Sequence, residues 1–307
     1  MAQQETRSGA RERRVGRLVI IGGNEDRDND KRVLHRFVEL TGSDKPRIIV
    51  FTAASGEDDE MWQVYRTAFR DLGAQPEPLH VGSREEANDP AVAKRLLEAD
   101  GIFMTGGDQK RLLALIGGTA LDDAMEQAFY EHGRCIAGTS AGASAMAEHM
   151  LATGSAEVQP EKDMSALAAG LGLIQRVVID QHFSERQRLG RLLTVVAQNP
   201  YLLGIGIDED TALIVEPSHG IEVVGDGAVT LIDGRQMSSN FLNVQRREKL
   251  ELIDVKLHLL PAGARYCVNG DVKREPSPDD EAGDPRELPA ALKDIVSILT
   301  QQGAHSS

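Results

Sequence analysis

Apolar positions in the first half of the chain follow two alternating rhythms. Residues 18–21 and 48–52 are short β-rich apolar runs, each closed by glycine, serine or acidic residues. Between them, Val33, Leu34, Phe37, Val38 and Leu40 mark one face of a helix that Gly42 stops. Met61, Val64, Tyr65, Ala68, Phe69 and Leu72 recur at helical spacing as far as Gly73. Asp89-Pro90 supplies an N-cap and a first-turn proline for a helix running to Leu97. Residues 102–105 form the next strand. Thr119 and Asp122 then make a capping pair for a helix ending near Gly133. This rhythm predicts an α/β fold, a doubly wound and mostly parallel sheet with helices on both faces. In such a sheet, ligands bind beyond the carboxyl ends of the strands.

The second half changes character. Residues 177–179 read as a strand, and Leu189, Leu192, Leu193 and Val196 mark the helix after it. Short strands follow at 204–207, 212–215, 221–224 and 229–232. Ser218-His219-Gly220 and Asp226-Gly227 are turn signals between them, which predicts antiparallel hairpins. Residues 256–260 and 264–268 are expected to form one more pair. Residues 275–287, rich in proline and acidic side chains, read as a solvated linker, and 288–299 as a terminal helix. The expected organisation is a polar leader over 1–16, one catalytic α/β domain over 17–272, and an acidic linker with a possible helix over 273–307.

The segment 134–148, Arg-Cys-Ile-Ala-Gly-Thr-Ser-Ala-Gly-Ala-Ser-Ala-Met-Ala-Glu, has the layout of a nucleophile elbow, a strand turning sharply into a small-residue helix that His149 closes. Gly138 and Gly142 leave room for the turn, which lifts the Ser140 hydroxyl clear of the backbone. The amide of Ala141 then faces a developing oxyanion. Gly106-Gly107-Asp108-Gln109 ends another strand, where Gly107 can supply a second donor and Gln109 can reach a substrate. A serine nucleophile needs a base. Of eight histidines, His182 stands apart, because Asp180-Gln181-His182-Phe183 follows an apolar strand at the binding edge. The acid that orients the base should also end a strand, as Asp208-Glu209-Asp210 do; periodicity alone does not choose among the three. Arg186, Arg188 and Arg191 follow His182 on an expected helix, and arginine forks match carboxylates bidentately. Gly22-Gly23-Asn24-Glu25-Asp26 lacks dinucleotide-binding spacing and reads as a tight turn packed beside the site.

Composition narrows the class. The net charge of −14 argues against nucleic acid as the main partner. No apolar run is long enough to span a bilayer, and no hydrophobic signal segment follows the polar start, so a cytoplasmic location is expected. Two cysteines, Cys135 and Cys267, write neither a disulfide framework nor a multi-cysteine zinc site. No metal or cofactor is expected, and a homodimer is the expected assembly.

Taken in order, six segments resemble the cyanophycinases, serine peptidases of the family that also contains the aspartyl dipeptidases. They are Ile-Gly-Gly-Asn-Glu-Asp at 21–26, Thr-Gly-Gly-Asp-Gln at 105–109, Gly-Thr-Ser-Ala-Gly-Ala at 138–143, Asp-Gln-His-Phe at 180–183, Arg-Leu-Gly-Arg-Leu at 188–192 and Gly-Ile-Asp-Glu at 206–209. The resemblance implies a fold like the class I glutamine amidotransferases. It implies Ser140 as nucleophile, His182 as base and Glu209 as the orienting acid, with Gln109, Asp180, Gln181, Arg186, Arg188 and Arg191 contacting substrate. The implied substrate is cyanophycin, an aspartate backbone with arginine on each side-chain carboxyl, cleaved to β-aspartyl-arginine. Alternatives are an aspartyl dipeptidase and a catalytically silent binding module. An α/β-hydrolase esterase fits less well, because there the acid precedes the histidine in the chain.

Overall fold

The computed structural model describes residues 15–54, 58–154, 159–217, 219–268 and 288–301. Most of the expected leader, Ser218 of the 218–220 turn signal, the linker over 275–287 and the end of the chain lie outside the described residues.

The first half builds as its pattern predicts. The order is β1 (Leu18–Ile21), α1 (Arg32–Leu40), β2 (Arg47–Phe51), α2 (Asp58–Asp71), β3 (Gln75–Leu79), α3 (Arg84–Ala87), α4 (Pro90–Leu97), β4 (Gly101–Met104), α5 (Gln109–Ile116), α6 (Ala120–Tyr130) and β5 (Cys135–Thr139). The strands β1, β5, β4, β2 and β3 lie side by side and parallel. Side chains alternate between the two faces, as strand geometry demands. Val19, Ile21, Ile48, Val50, Phe103 and Ala137 pack on one face under α1 and α2, with an aromatic group of Phe37, Tyr65, Phe69 and Phe103. Leu18, Ile20, Ile49, Phe51, Ile102, Met104 and Ile136 pack on the other, under α4, α5 and α6. For β3 the sequence marks only a strand end, at His80, because Gln-Pro-Glu-Pro-Leu carries two prolines. The strand lies at the sheet edge, where the missing N–H groups interrupt no inner ladder.

The second half departs further from expectation. It runs α7 (Ala141–Ala145), β6 (His149–Gly154), β7 (Ser165–Ala169), β8 (Val177–Gln181), α8 (Leu189–Gln198), β9 (Leu203–Ile207), β10 (Thr211–Glu216), β11 (Gly220–Gly225), β12 (Ala228–Asp233), β13 (Ser238–Ser239), β14 (Leu252–Ile253), β15 (Lys256–Pro261), β16 (Arg265–Cys267) and α9 (Ala290–Thr300). His149 does not close the elbow helix; it opens β6, which pairs with β7. The successive strands do not form one run of hairpins. β10, β11 and β16 extend the main sheet antiparallel beyond β1, whereas β8, β9, β12 and β15 form a second sheet. Only β10 with β11 is the hairpin expected, and β15 and β16 pair into different sheets rather than with each other. The inner face of the second sheet, including Ile179, Ile205, Ile207 and Leu231, joins the core of the main sheet. Its outer face, with Val178 and Ile232, is covered by Leu192, Val195 and Val196 of α8. The helix α8 starts at Leu189, so Arg186 and Arg188 belong to the turns before it rather than to one helix with Arg191.

Of the several passages between sheets, two bear on the site. One is the short crossing from β9 to β10, residues 208–210. The other is the elbow, where α7 is pressed so close to β4 that a Cβ on Gly142 would stand 2.6 Å from the Met104 carbonyl oxygen. Gly142→Val should therefore lower unfolding free energy by about 1–3 kcal/mol, the usual cost of overpacking, read from urea denaturation. Unchanged stability would contradict this close approach.

Candidate active site

Ser140 stands between β5 and α7 at φ 52° and ψ −110°, a conformation that costs roughly 1–3 kcal/mol for a side-chain-bearing residue. Its neighbours hold it there. The Ser140 amide donates to the Ile21 carbonyl at 3.0 Å, and its own carbonyl accepts from the Ser144 amide at 3.1 Å. Gly138 and Gly142 make the tight turn possible, since a Cβ on Gly138 would lie 2.6 Å from the Gly142 carbonyl carbon.

Two more segments arrive at the same point. His182 directly follows β8, and its amide donates to the Gly22 carbonyl at 2.8 Å. Asp210 closes the crossing from β9 to β10, and its amide donates to the Gly23 carbonyl at 2.9 Å. Three successive carbonyls, those of Ile21, Gly22 and Gly23, thus accept the amides of Ser140, His182 and Asp210. Gly23 must lack a side chain, because a Cβ there would fall 2.4 Å from His182 Cε1. The side chains meet accordingly. Ser140 Oγ lies 2.9 Å from His182 Nε2, and His182 Nδ1 lies 2.6 Å from Glu209 Oε1. The other two acids of the crossing are engaged elsewhere. Asp208 accepts the amides of Ser184 and Ala228, and Asp210 accepts the amide of Asp26.

Burial holds the His182 imidazole below its usual pKa, against the raising effect of the Glu209 hydrogen bond, and Arg186 pushes the same way as burial. Burial raises the Glu209 carboxyl, but hydrogen bonds from His182 and Asn24 outweigh it and keep the group below the usual carboxylate range. A neutral imidazole with Nδ1–H directed at an ionised carboxylate leaves Nε2 free to accept the serine proton, so the arrangement can generate a nucleophile.

The remaining sequence-selected residues separate into two groups. Close to the serine, Ala141 is the first residue of α7, and Gly106 places its backbone against Ser140. The amides of Gly107 and Ala141 have no backbone acceptor among the described residues. Gln181 Oε1 lies 3.4 Å from Ser140 Oγ, and Arg186 is exposed beside His182 and Glu209 with no ion pair among the described residues. Gln109 starts α5 and donates to the Leu151 carbonyl at 3.0 Å. Beneath them lies a buried polar cluster. Asp180 is wholly buried, and its carboxylate accepts from Arg188 Nη1 at 3.1 Å and from Arg191 Nε at 2.6 Å, with Arg191 Nη2 closing the fork. Arg188 also donates to the backbone carbonyl and side-chain oxygen of Gln181. Burial lowers the pKa of Arg188 to about 10. Asp180 is thus matched by two guanidiniums inside the protein, while Arg188 Nε is buried without a hydrogen-bond partner among the described residues.

Sequence reasoning missed Asn24 and Glu25, although it singled out their turn. Asn24 donates to Glu209 Oε2 at 3.0 Å. Glu25 is buried and accepts from the hydroxyls of Tyr65 and, at 2.6 Å, Thr139. The available signal was a polar Asn-Glu-Asp run directly after an apolar strand, at the binding edge of the sheet. No group of three or more His, Cys, Asp or Glu side chains is placed to hold a metal ion among the described residues.

Known proteins similar to this chain include peptidases. The chain is 38% identical over 253 residues to a cyanophycinase of Synechococcus elongatus, covering 82% of this chain and 79% of that protein. It is 38% identical over 251 residues to the cyanophycinase of Geminocystis herdmanii, covering 81% and 92%. A crystal structure of a peptidase from an acI-B1 Actinobacterium superposes with a TM-score of 0.58 at 25% identity, covering 78% of this chain and 96% of that one. The model of peptidase family S51 matches residues 18–223, two-thirds of the chain. The chain belongs to peptidase family S51 and is a serine-type peptidase.

Proposed function

We propose that this enzyme is a cyanophycinase-type exopeptidase. It hydrolyses the aspartate backbone of cyanophycin and releases β-aspartyl-arginine. The observation that carries the reading is the unbroken chain of hydrogen bonds from Ser140 through His182 to Glu209, in a protein similar to curated cyanophycinases over four-fifths of its length. Ser140 Oγ attacks the scissile carbonyl while His182 Nε2 takes its proton. Glu209 keeps the imidazole in the productive tautomer and stabilises the imidazolium. The amides of Gly107 and Ala141 donate to the oxyanion, and His182 returns the proton to the leaving amine. Water, activated by the same base, releases the acyl group. The elbow and strand order also support grouping the fold with the class I glutamine amidotransferases.

Each unit of cyanophycin carries a guanidinium and a free carboxylate, so recognition calls for both charges near the serine. Arg186 is exposed beside the site, with no ion pair among the described residues, and we assign it the carboxylate. Glu185, also exposed next to it, suits the guanidinium. Asp180, Arg188 and Arg191 act one layer below, holding Gln181 and the end of β8 in place.

The deciding test is incubation with purified cyanophycin and mass analysis of the products, against unbranched polyaspartate. Wild type should release β-aspartyl-arginine and leave polyaspartate largely intact; equal cleavage of both would remove cyanophycin as the substrate. Ser140→Ala should lower turnover on the order of a millionfold with the fold intact. Activity within tenfold of wild type would exclude Ser140 as nucleophile. Glu209→Gln should cost far more activity than Asp208→Asn or Asp210→Asn, whose carboxylates bind backbone amides instead. The acid limb of kcat/KM should lie below 6.5, the ordinary histidine value, because the base must be neutral and its pKa is lowered. Arg186→Gln removes a positive charge that opposes protonation, so the limb should move to higher pH. A limb that stays put or moves down would contradict that electrostatic role.

A further inference from the structure

The turn after β1 is the one motif that the reaction above leaves without a role. Its five residues, 22–26, reach His182, Glu209, Asp210 and Thr139. Gly22 and Gly23 accept the amides of His182 and Asp210. Glu25 accepts the hydroxyl of Thr139, the residue before the serine, and the hydroxyl of buried Tyr65. Asp26 donates its amide to Asp210 Oδ1 at 2.8 Å and accepts the amide of Lys31 at 2.9 Å. Asn24 sits at the centre of this bracing with φ 49°, a left-handed conformation that asparagine tolerates better than most residues.

We propose that Asn24 is a positioning residue for the Ser140–His182–Glu209 chain. Its side-chain amide, donating to Glu209 Oε2, sets the carboxylate so that Oε1 meets His182 Nδ1. The proposal rests on the catalytic reading above. A carboxylate only accepts, so the Asn24 nitrogen must face it. Such a partner matters for Glu209, since its side chain is 28% exposed and His182 engages only Oε1. Among the described residues, Asn24 is the only side chain that donates to Oε2. A neutral donor is also the right chemistry. A lysine or arginine there would neutralise Glu209 and weaken its hold on the imidazolium, whereas an amide orients the carboxylate and leaves its charge to act on His182. Asn24 makes no hydrogen bond to Ser140 or His182, so its effect must pass through Glu209.

The test compares Asn24→Gly and Asn24→Asp in the full-length protein, each alone and with Glu209→Ala. It measures the rate at which a fluorophosphonate labels Ser140, and kcat and KM on cyanophycin. Asn24→Gly keeps the left-handed backbone accessible and removes the donor. It should slow labelling and kcat about tenfold with KM within about twofold, the scale of one lost hydrogen bond to a charged group. In Glu209→Ala protein, where no carboxylate is left to orient, the same change should cost nothing more. Asn24→Asp preserves the shape but sets carboxylate against carboxylate, and should slow labelling at least as much. Its melting temperature, compared with wild type, separates this loss from unfolding. Wild-type labelling rates in both variants, or the same tenfold loss repeated without Glu209, would overturn the proposal. Labelling that survives Ser140→Ala would overturn the catalytic reading beneath it, so the two failures are told apart.

Discussion

The site depends on one short row of backbone hydrogen bonds. Three consecutive carbonyl oxygens at the end of β1 accept the amides of Ser140, His182 and Asp210, which come from three distant parts of the chain. Ser140, His182 and Asp210 all have positive φ, as does Asn24 in the turn itself. Each would relax elsewhere if left alone, and each persists because its neighbours over-determine it. The strain is affordable because β1 is central in the main sheet, buried and paired on both sides. The Ser140–His182–Glu209 chain therefore hangs from a strand that is buried and paired on both sides.

The buried polar cluster below the site serves the same end by different physics. Asp180 lies in the interior with two guanidiniums around it, and such a group is tolerated only when its charge is matched and its lone pairs are filled. Removing one member of a buried pair typically costs about 3–5 kcal/mol, so breaking this arrangement is expensive. That arrangement ties the last residues of β8 to the first turn of α8, and it grips Gln181 immediately before His182. The imidazole is thus held from its own strand as well as from the turn after β1.

Much of this was legible in the chain's own pattern. Alternation and helical spacing predicted the parallel half of the main sheet, because those signals come from which residues face the core within one element. The glycines around Ser140 announced a sharp turn, and polar residues at the ends of apolar strands announced the binding edge; His182 and the acids at 208–210 were found that way. Other features stayed hidden for identifiable reasons. The extent of β3, of which the sequence marked only the end at His80, is one: its prolines argue locally against a strand, yet an edge position removes their cost. The short strands after residue 200 looked like consecutive hairpins because their length and turn residues are the same whichever sheet they join.

The sequence by itself determined the elements of the first half, the elbow serine and the strand ends from which a base and an acid could come. Only the tertiary structure decided which partners those groups meet. It split the late strands between two sheets, so that residues 208–210 became a crossing that delivers Glu209 to His182 rather than a hairpin turn exposed to water. It paired Asp180 with Arg188 and Arg191, a partnership that spacing along the chain does not show. It also made the turn after β1 the common anchor of the site. The physical reason is the same each time. Periodicity reports the environment of a residue within its own element, whereas a hydrogen-bond partner is chosen by which distant segments the packed sheets bring within 3 Å.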